Sequence, residues 1–506
     1  MENHSFLSRI CIGMIAIVLA TSCSKDFLDT DPTDRVSETI AFSSIENANK
    51  ALSGLYRTIY TQYTNQHRDG HTAMMINFDA MGEDYVRTAP GYVYHRESYR
   101  WLAHRNVSDV NVNGFAYYFY YIIISNANMI IEKIDGVEGG EQAKATIKGE
   151  ALALRAWAYT YLVQLYGKRY DASIGENTQP GVPLVLTTDP AGQPRASVEA
   201  VYTQIVNDLD EAMALLAHGG STAKTHLNLQ SVKGIRARVA LTMQDWPNAI
   251  KYAQEARANS SLMSHAQYLE GFSNISNPEW LWGVSIPIDQ VTTYGSFFRY
   301  MSANFNSGFT RTNPKCMNSV LYAQIPETDI RKKLWWDGTD EDRPNFPGVL
   351  NGDGTPVANQ TRAPYQHRKY LVQDPSNASG DVPLMRAAEM YLIEAEARAQ
   401  SGDADAAEVL YELAVNRDPQ YVMSTNTGQS LVNEIWVQRR VELWGEGFRF
   451  LDLKRTNSDL DRRNTNHKPD LANILYVPAG ANEWQWLIPQ AEINSNPAIG
   501  PENQNP

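Results

Sequence analysis

Arg238-Val-Ala-Leu-Thr-Met-Gln-Asp-Trp-Pro-Asn-Ala-Ile-Lys-Tyr-Ala-Gln-Glu-Ala256 and Ala395-Glu-Ala-Arg-Ala-Gln-Ser-Gly-Asp-Ala-Asp-Ala-Ala-Glu-Val-Leu-Tyr-Glu-Leu413 are built to one plan. In each, a helix rich in small residues reaches a polar turn. A second helix then opens with an alanine nine positions after a matching alanine of the first, Ala240 to Ala249 and Ala397 to Ala406. Small residues at those steps let two antiparallel helices approach closely, the packing logic of tetratricopeptide-type hairpins, and such a hairpin cannot bury its face alone. The chain therefore reads as mainly α: a tetratricopeptide-like helical-hairpin scaffold with long irregular loops and a few short strands.

The flanking sequence extends the pattern. Ile147 to Tyr166 places Ala151, Leu154, Ala158, Tyr161 and Leu165 on one face, with Gly167 as a stop. Ser197 is a good N-cap for Val198 to Leu216, where Val201, Ile205, Leu209, Ala212 and Leu216 form the apolar stripe. Helix pairs are expected around 125–170, 197–257, 383–415 and 430–455, stacked as one scaffold. Phe115 to Ile124 reads as buried helix, and Trp157, Trp246, Trp436 and Trp444 as core. Between 260 and 380, segments such as Asn351-Gly-Asp-Gly-Thr-Pro356 carry Pro, Gly and Asn with little periodicity. Loops with short strands are expected there, and loops on a rigid frame are where binding usually resides.

Composition narrows the function classes. The 506 residues are 43% hydrophobic and 20% charged, with a net charge of −13. This describes a core-forming chain without the basic stripe that nucleic acid requires. Cys11, Cys23 and Cys316 are too scattered for a metal cluster or a disulfide framework. Residues 1–22 contain a short apolar run suited to a signal-peptide core, and Leu19-Ala-Thr-Ser-Cys23 resembles a lipobox with Cys23 as the lipidated residue. Residues 23–40 are acidic, interrupted by Pro32, and read as a tether. Its Asp29, Asp31 and Asp34 lack the glycine and closing glutamate of an EF-hand loop. No later segment offers about 20 uninterrupted apolar residues, so the chain is expected to be anchored to a membrane rather than to span it.

Specific catalytic signals are missing: no Walker loop, G-x-S-x-G, H-E-x-x-H or C-x-x-C occurs. His67 and His71 have a ligand-like spacing, but Gly70 between them and the lack of a third ligand favour a polar loop, and no metal is expected. Glu83 and Asp84 are the carboxylates on which a glycoside hydrolase reading would rest. Asp84 also suits a binding role, toward a sugar hydroxyl or a cation. Aromatic usage points elsewhere, because sugars stack their C–H faces on rings while polar groups take the hydroxyls. Tyr92, Tyr94, Tyr99 and Trp101 cluster near Arg96, Arg100 and Asn106; Phe297, Phe298, Tyr300, Phe305, Trp335 and Trp336 lie in the loop-rich middle. The expectation is that several of Tyr92, Tyr94, Trp101, Phe298, Tyr300, Trp335 and Trp336 line one exposed groove.

Five motifs give the chain a family resemblance. They are Ser22-Cys23-Ser-Lys-Asp-Phe-Leu-Asp29; Gly149-Glu150 through Arg155 to Leu165-Tyr-Gly167, with Gly181-Val-Pro183 and Pro194-Arg195; Arg386 to Ala397; Arg439 to Arg455; and Trp486 to Pro497 with Asn503-Gln-Asn505-Pro506. In this order they resemble the SusD/RagB group of outer-membrane nutrient-binding lipoproteins. Gln438 stands where that family usually has glutamate, and Asn416-Arg417-Asp418-Pro419 departs from its usual continuation. Glu389, Glu396, Arg440, Glu442, Glu446, Arg449 and Asp452 read first as inter-helix salt bridges. The resemblance implies an N-terminal helical region at 41–230 and a C-terminal region at 231–506 that contains the 260–380 insertion. It implies a surface-exposed, non-enzymatic outer-membrane lipoprotein without a cofactor, which captures a glycan, or in RagB-like members a peptide, for a SusC-like TonB-dependent transporter.

Overall fold

The computed structural model describes residues 38–189, 191–291 and 295–506. The signal peptide, Cys23 and nearly all of the tether lie outside them. The longer helices are α1 (Ile45–Thr58), α2 (Gly70–Met81), α3 (Asn113–Lys133), α4 (Glu141–Tyr166), α5 (Val198–Leu216), α6 (Leu229–Thr242), α7 (Trp246–Arg257), α8 (Ala387–Ser401), α9 (Ala406–Arg417), α10 (Gly428–Glu442) and α11 (Arg449–Arg455). The strands are β1 (Tyr85–Arg87), β2 (Pro180–Pro183), β3 (Arg195–Ser197), β4 (Trp280–Val284), β5 (Lys315–Met317), β6 (Val382–Arg386), β7 (Leu460–Asp461) and β8 (Tyr476–Val477). They form antiparallel pairs, β1 with β5, β2 with β3, β4 with β6 and β7 with β8.

Local chemistry sets the helix ends. Ser197 caps α5 by accepting the Ala200 N–H at 3.1 Å, and Asn228 and Ser231 form a reciprocal capping box on α6. Gly402, at φ +75, closes α8 in the left-handed conformation that costs glycine least. The expected stripe of α5 is buried at every position. Helices α3 to α8 pack successively on one another, and α9 and α10 both pack on α8. The approach is close: α7 buries only Ala249, Ala253 and Ala256, and a Cβ on Gly234 of α6 would lie 2.2 Å from the Met385 sulfur.

The main apolar core draws on residues from Ala48 to Ile488, and a smaller one lies among α8, α9 and α10. The 260–380 region contributes to the main core through one-turn helices, Phe297–Met301 and Ser319–Tyr322 among them, which are too short to show a period in sequence. Trp246 and Trp436, expected in the core, are only half-buried.

Charged motif residues join distant elements, as expected. The interior holds four cations, Arg331, Lys369, Arg386 and Arg417, against four carboxylates, Glu279, Asp329, Glu442 and Glu446, none more than 4% exposed. Arg386 donates to Glu446 at 2.6 Å, to Glu442 at 3.0 Å and to Glu279; Arg417 donates to Glu279 at 2.7 Å and Glu442 at 3.1 Å. The antiparallel β4–β6 pairing, with Trp280 opposite Arg386, brings Glu279 to this network. Gln438 accepts from Arg331 at 2.6 Å, so both departures from the family pattern, Gln438 and Arg417, sit at the network. Elsewhere Glu389 pairs with Arg238, Glu396 with Arg455, and Asp452 with Arg439.

Candidate ligand-binding surface

Strand β1 ends at Arg87, opposite Lys315 of β5. From there the Arg87 guanidinium donates to the carbonyls of Ala89 at 3.2 Å, Pro90 at 2.6 Å, Tyr94 at 3.1 Å and Tyr92. One buried cation thus organises the 88–95 loop from inside. Two further constraints fix its path. Gly91, at φ +39, lies against Asn313 so closely that a Cβ would be 2.2 Å from Oδ1. His95 takes φ +56, and its Nδ1 donates to Asn77 Oδ1 of α2 at 2.9 Å.

The loop presents Tyr92, Val93 and Tyr94 outward. Tyr92 is 51% exposed and Tyr94 partly so; their rings stack with centroids 6.5 Å apart and planes 21° apart. Tyr92 lies on the backbone of Gly308, where a Cβ would approach its hydroxyl to 2.8 Å. Tyr94 is backed by His67 at 4.8 Å, Tyr300 at 5.4 Å and Phe309 at 5.7 Å. Arg96 and Glu97, each about 40% exposed, pair at the margin. A ring surface with hydroxyl, guanidinium and carboxylate groups beside it can stack on the C–H face of a sugar and hydrogen-bond its hydroxyls.

The other rings expected in this groove are core residues. Trp101, 2% exposed, donates Nε1–H to the Met81 carbonyl at 2.7 Å and packs edge-on against Trp484. Phe298 is buried against Phe297 and Tyr370, and Trp335 against Trp444. Tyr300 lies beneath Tyr94 and donates to the Gln66 carbonyl at 2.5 Å. Trp336 is buried under Arg362 and bonded to the Thr339 carbonyl. Of the expected set, Tyr92 and Tyr94 alone reach the surface, because the apolar remainder of each loop serves as filling for the core.

Asp84 is also misplaced by the sequence reading. It is buried and accepts two bonds from Arg440, at 2.6 and 3.0 Å, while Glu83 accepts from Arg449 at 2.5 Å. Burial would raise Glu83, and the Arg449 and Arg440 guanidiniums reverse this and hold it below its ordinary range. Neither carboxylate is a free acid or base in this arrangement. His71 opens α2 rather than a polar loop; it sits among Tyr120, Trp157 and Tyr161, and burial lowers its imidazole to about 3. Among the described residues, no three His, Cys, Asp or Glu side chains form a potential metal site. Arg87, Gly308 and Phe309 escaped the sequence reading. Their one signal was a lone arginine ending the apolar strand Tyr85-Val-Arg87.

Comparison with known proteins gives concordant matches. Residues 26–241 match a family described as starch-binding, associating with the outer membrane, and residues 300–506 match the SusD family. A SusD-like protein of Bacteroides ovatus is 25% identical over 54% of this chain, a match that spans 49% of that protein's own length. The crystal structure of a SusD-like carbohydrate binding protein from Bacteroides vulgatus superposes with a TM-score of 0.77 at 25% identity, covering 90% of this chain and 98% of that one. A laminarin binding SusD-like protein shares the fold, with a TM-score of 0.70 at 21% identity, covering 92% of this chain and all of the other.

Proposed function

The chain belongs to the SusD/RagB family, and from this membership and the exposed tyrosine pair we propose that it is a glycan-binding lipoprotein of the outer membrane, which captures an oligo- or polysaccharide outside the cell and passes it to a SusC-like TonB-dependent transporter. The observation that carries the glycan reading is the Tyr92–Tyr94 stack, held open by Arg87 on a rigid helical frame. Carbohydrate recognition by the Bacteroides vulgatus protein and laminarin binding by the other relative support it. The ion-paired state of Glu83 and Asp84 supports binding without hydrolysis. Attachment through a lipid on Cys23 and delivery to a transporter rest on family membership and the lipobox-like sequence.

Calorimetry on protein beginning at Ser24, titrated with soluble polysaccharides and with a peptide digest, tests the reading. Saturable heat with an intact glycan is the expected outcome. Heat from peptides alone moves the protein to the RagB-like branch, and glycan breakdown products would require a hydrolase.

A further inference from the structure

A cleft of about 200 Å³ opens between α10 and α11 and shares no lining residue with the tyrosine surface. Four arginines line it: Arg439 and Arg440 of α10, and Arg449 and Arg455 of α11. Asp452 is its one acidic lining residue, and both its oxygens are engaged, Oδ2 by Arg439 Nε at 2.7 Å and Oδ1 by Arg455 Nε at 2.8 Å. Arg455 spends its other two nitrogens on Glu396, at 2.6 and 2.8 Å.

The remaining donors are in excess. Arg440 uses Nε and Nη2 on Asp84, and Arg449 uses Nε and Nη2 on Glu83. Each keeps an Nη1 group that makes no hydrogen bond to any described residue. Arg439 Nη1 and Trp436 Nε1, two atoms closed off from solvent, also lack hydrogen-bond partners, against one unpartnered acceptor, Glu83 Oε2. Buried donors without partners are uncommon in folded proteins and call for an acceptor. A neutral polar molecule brings donors as well as acceptors, whereas an oxyanion brings acceptors only and matches the forked edge of a guanidinium.

We propose that this cleft is a binding site for an oxyanion group, the carboxylate of an acidic sugar or a sulfate. The four guanidiniums are already balanced by Glu83, Asp84, Asp452 and Glu396, so the anion joins a neutral cluster and hydrogen bonds set its affinity. Binding is therefore weak, in the millimolar range, and selective for oxyanions over chloride.

The test uses protein beginning at Ser24 at constant ionic strength, with sodium chloride replaced stepwise by sodium sulfate or sodium galacturonate, and with galactose as the neutral control. Calorimetry is expected to show saturable binding of at least one anion and none of galactose. Sulfate alone identifies a free sulfate or a sulfate ester as the group held, and galacturonate identifies a sugar carboxylate. Asn433→Glu places a competing carboxylate at the exposed rim and is expected to weaken binding at least tenfold. Trp436→Phe, which keeps a ring and removes the donor, is expected to weaken it several-fold. The absence of a saturable response to both anions, or equal affinity in Asn433→Glu and the parent, overturns the proposal.

Discussion

Tyr92 and Lys315 show how opposite surroundings act on single residues. Tyr92 spends little on packing, so Tyr92→Ala is expected to leave thermal stability nearly unchanged, within about 0.5 kcal/mol. The same change should reduce glycan affinity about tenfold, or about 1.4 kcal/mol, in calorimetry. Lys315 is buried beside Phe309, its ammonium 5.0 Å from the ring centroid, and desolvation lowers it to about 7. In the unfolded chain a lysine titrates near 10.4. Between these values the unfolded state binds more protons than the folded state, so this residue makes stability rise with pH from about 7 to about 10. Below 7 both states are charged and the penalty is constant. Lys315→Met should therefore stabilise the protein most at pH 7 and below, with the advantage vanishing toward pH 10, as read by thermal unfolding across that range. A change that is independent of pH over this interval would refute the assignment.

At the scale of elements, legibility followed length. The α5 stripe and its Ser197 cap were readable because nineteen residues carry several turns of one period. The one-turn helices of the middle region carry none, and so Phe298 and Tyr92 looked alike: aromatic residues in segments rich in loop formers. What separates them is which distant element covers them, and that information is not local. The same limit hid Lys454, on α11. Its ammonium donates to the carbonyls of Gln164 at 2.5 Å, Leu165 at 3.2 Å and Gly167 at 2.9 Å, and so caps the C-terminal end of α4 from nearly 290 residues away. Lys454→Met leaves the Gln164 and Gly167 carbonyls without this donor, while Leu165 keeps the Trp486 N–H at 3.0 Å, and is expected to cost about 2–4 kcal/mol in urea denaturation, since each buried unsatisfied group costs about 1–3 kcal/mol.

For the whole molecule, the eight-membered charge network in the interior is the strongest constraint. Glu442 faces Arg331, Arg386 and Arg417 together. Glu442→Gln leaves one cation in excess there and is expected to lower the unfolding free energy by about 3–5 kcal/mol in denaturant titrations. Because these pairs exclude solvent, added salt should restore little of it. The β1 region is fastened to α10 and α11 in the same way, with Glu83 bound to Arg449 across 366 residues of sequence and Asp84 to Arg440 across 356. Synthesis proceeds at roughly 5–20 residues per second, so these two carboxylates emerge from the ribosome roughly 20–70 s before their partners exist. Through that interval the early half of the chain has a pair of acids meant for the interior and nothing to neutralise them, which makes it a natural client for a holding chaperone.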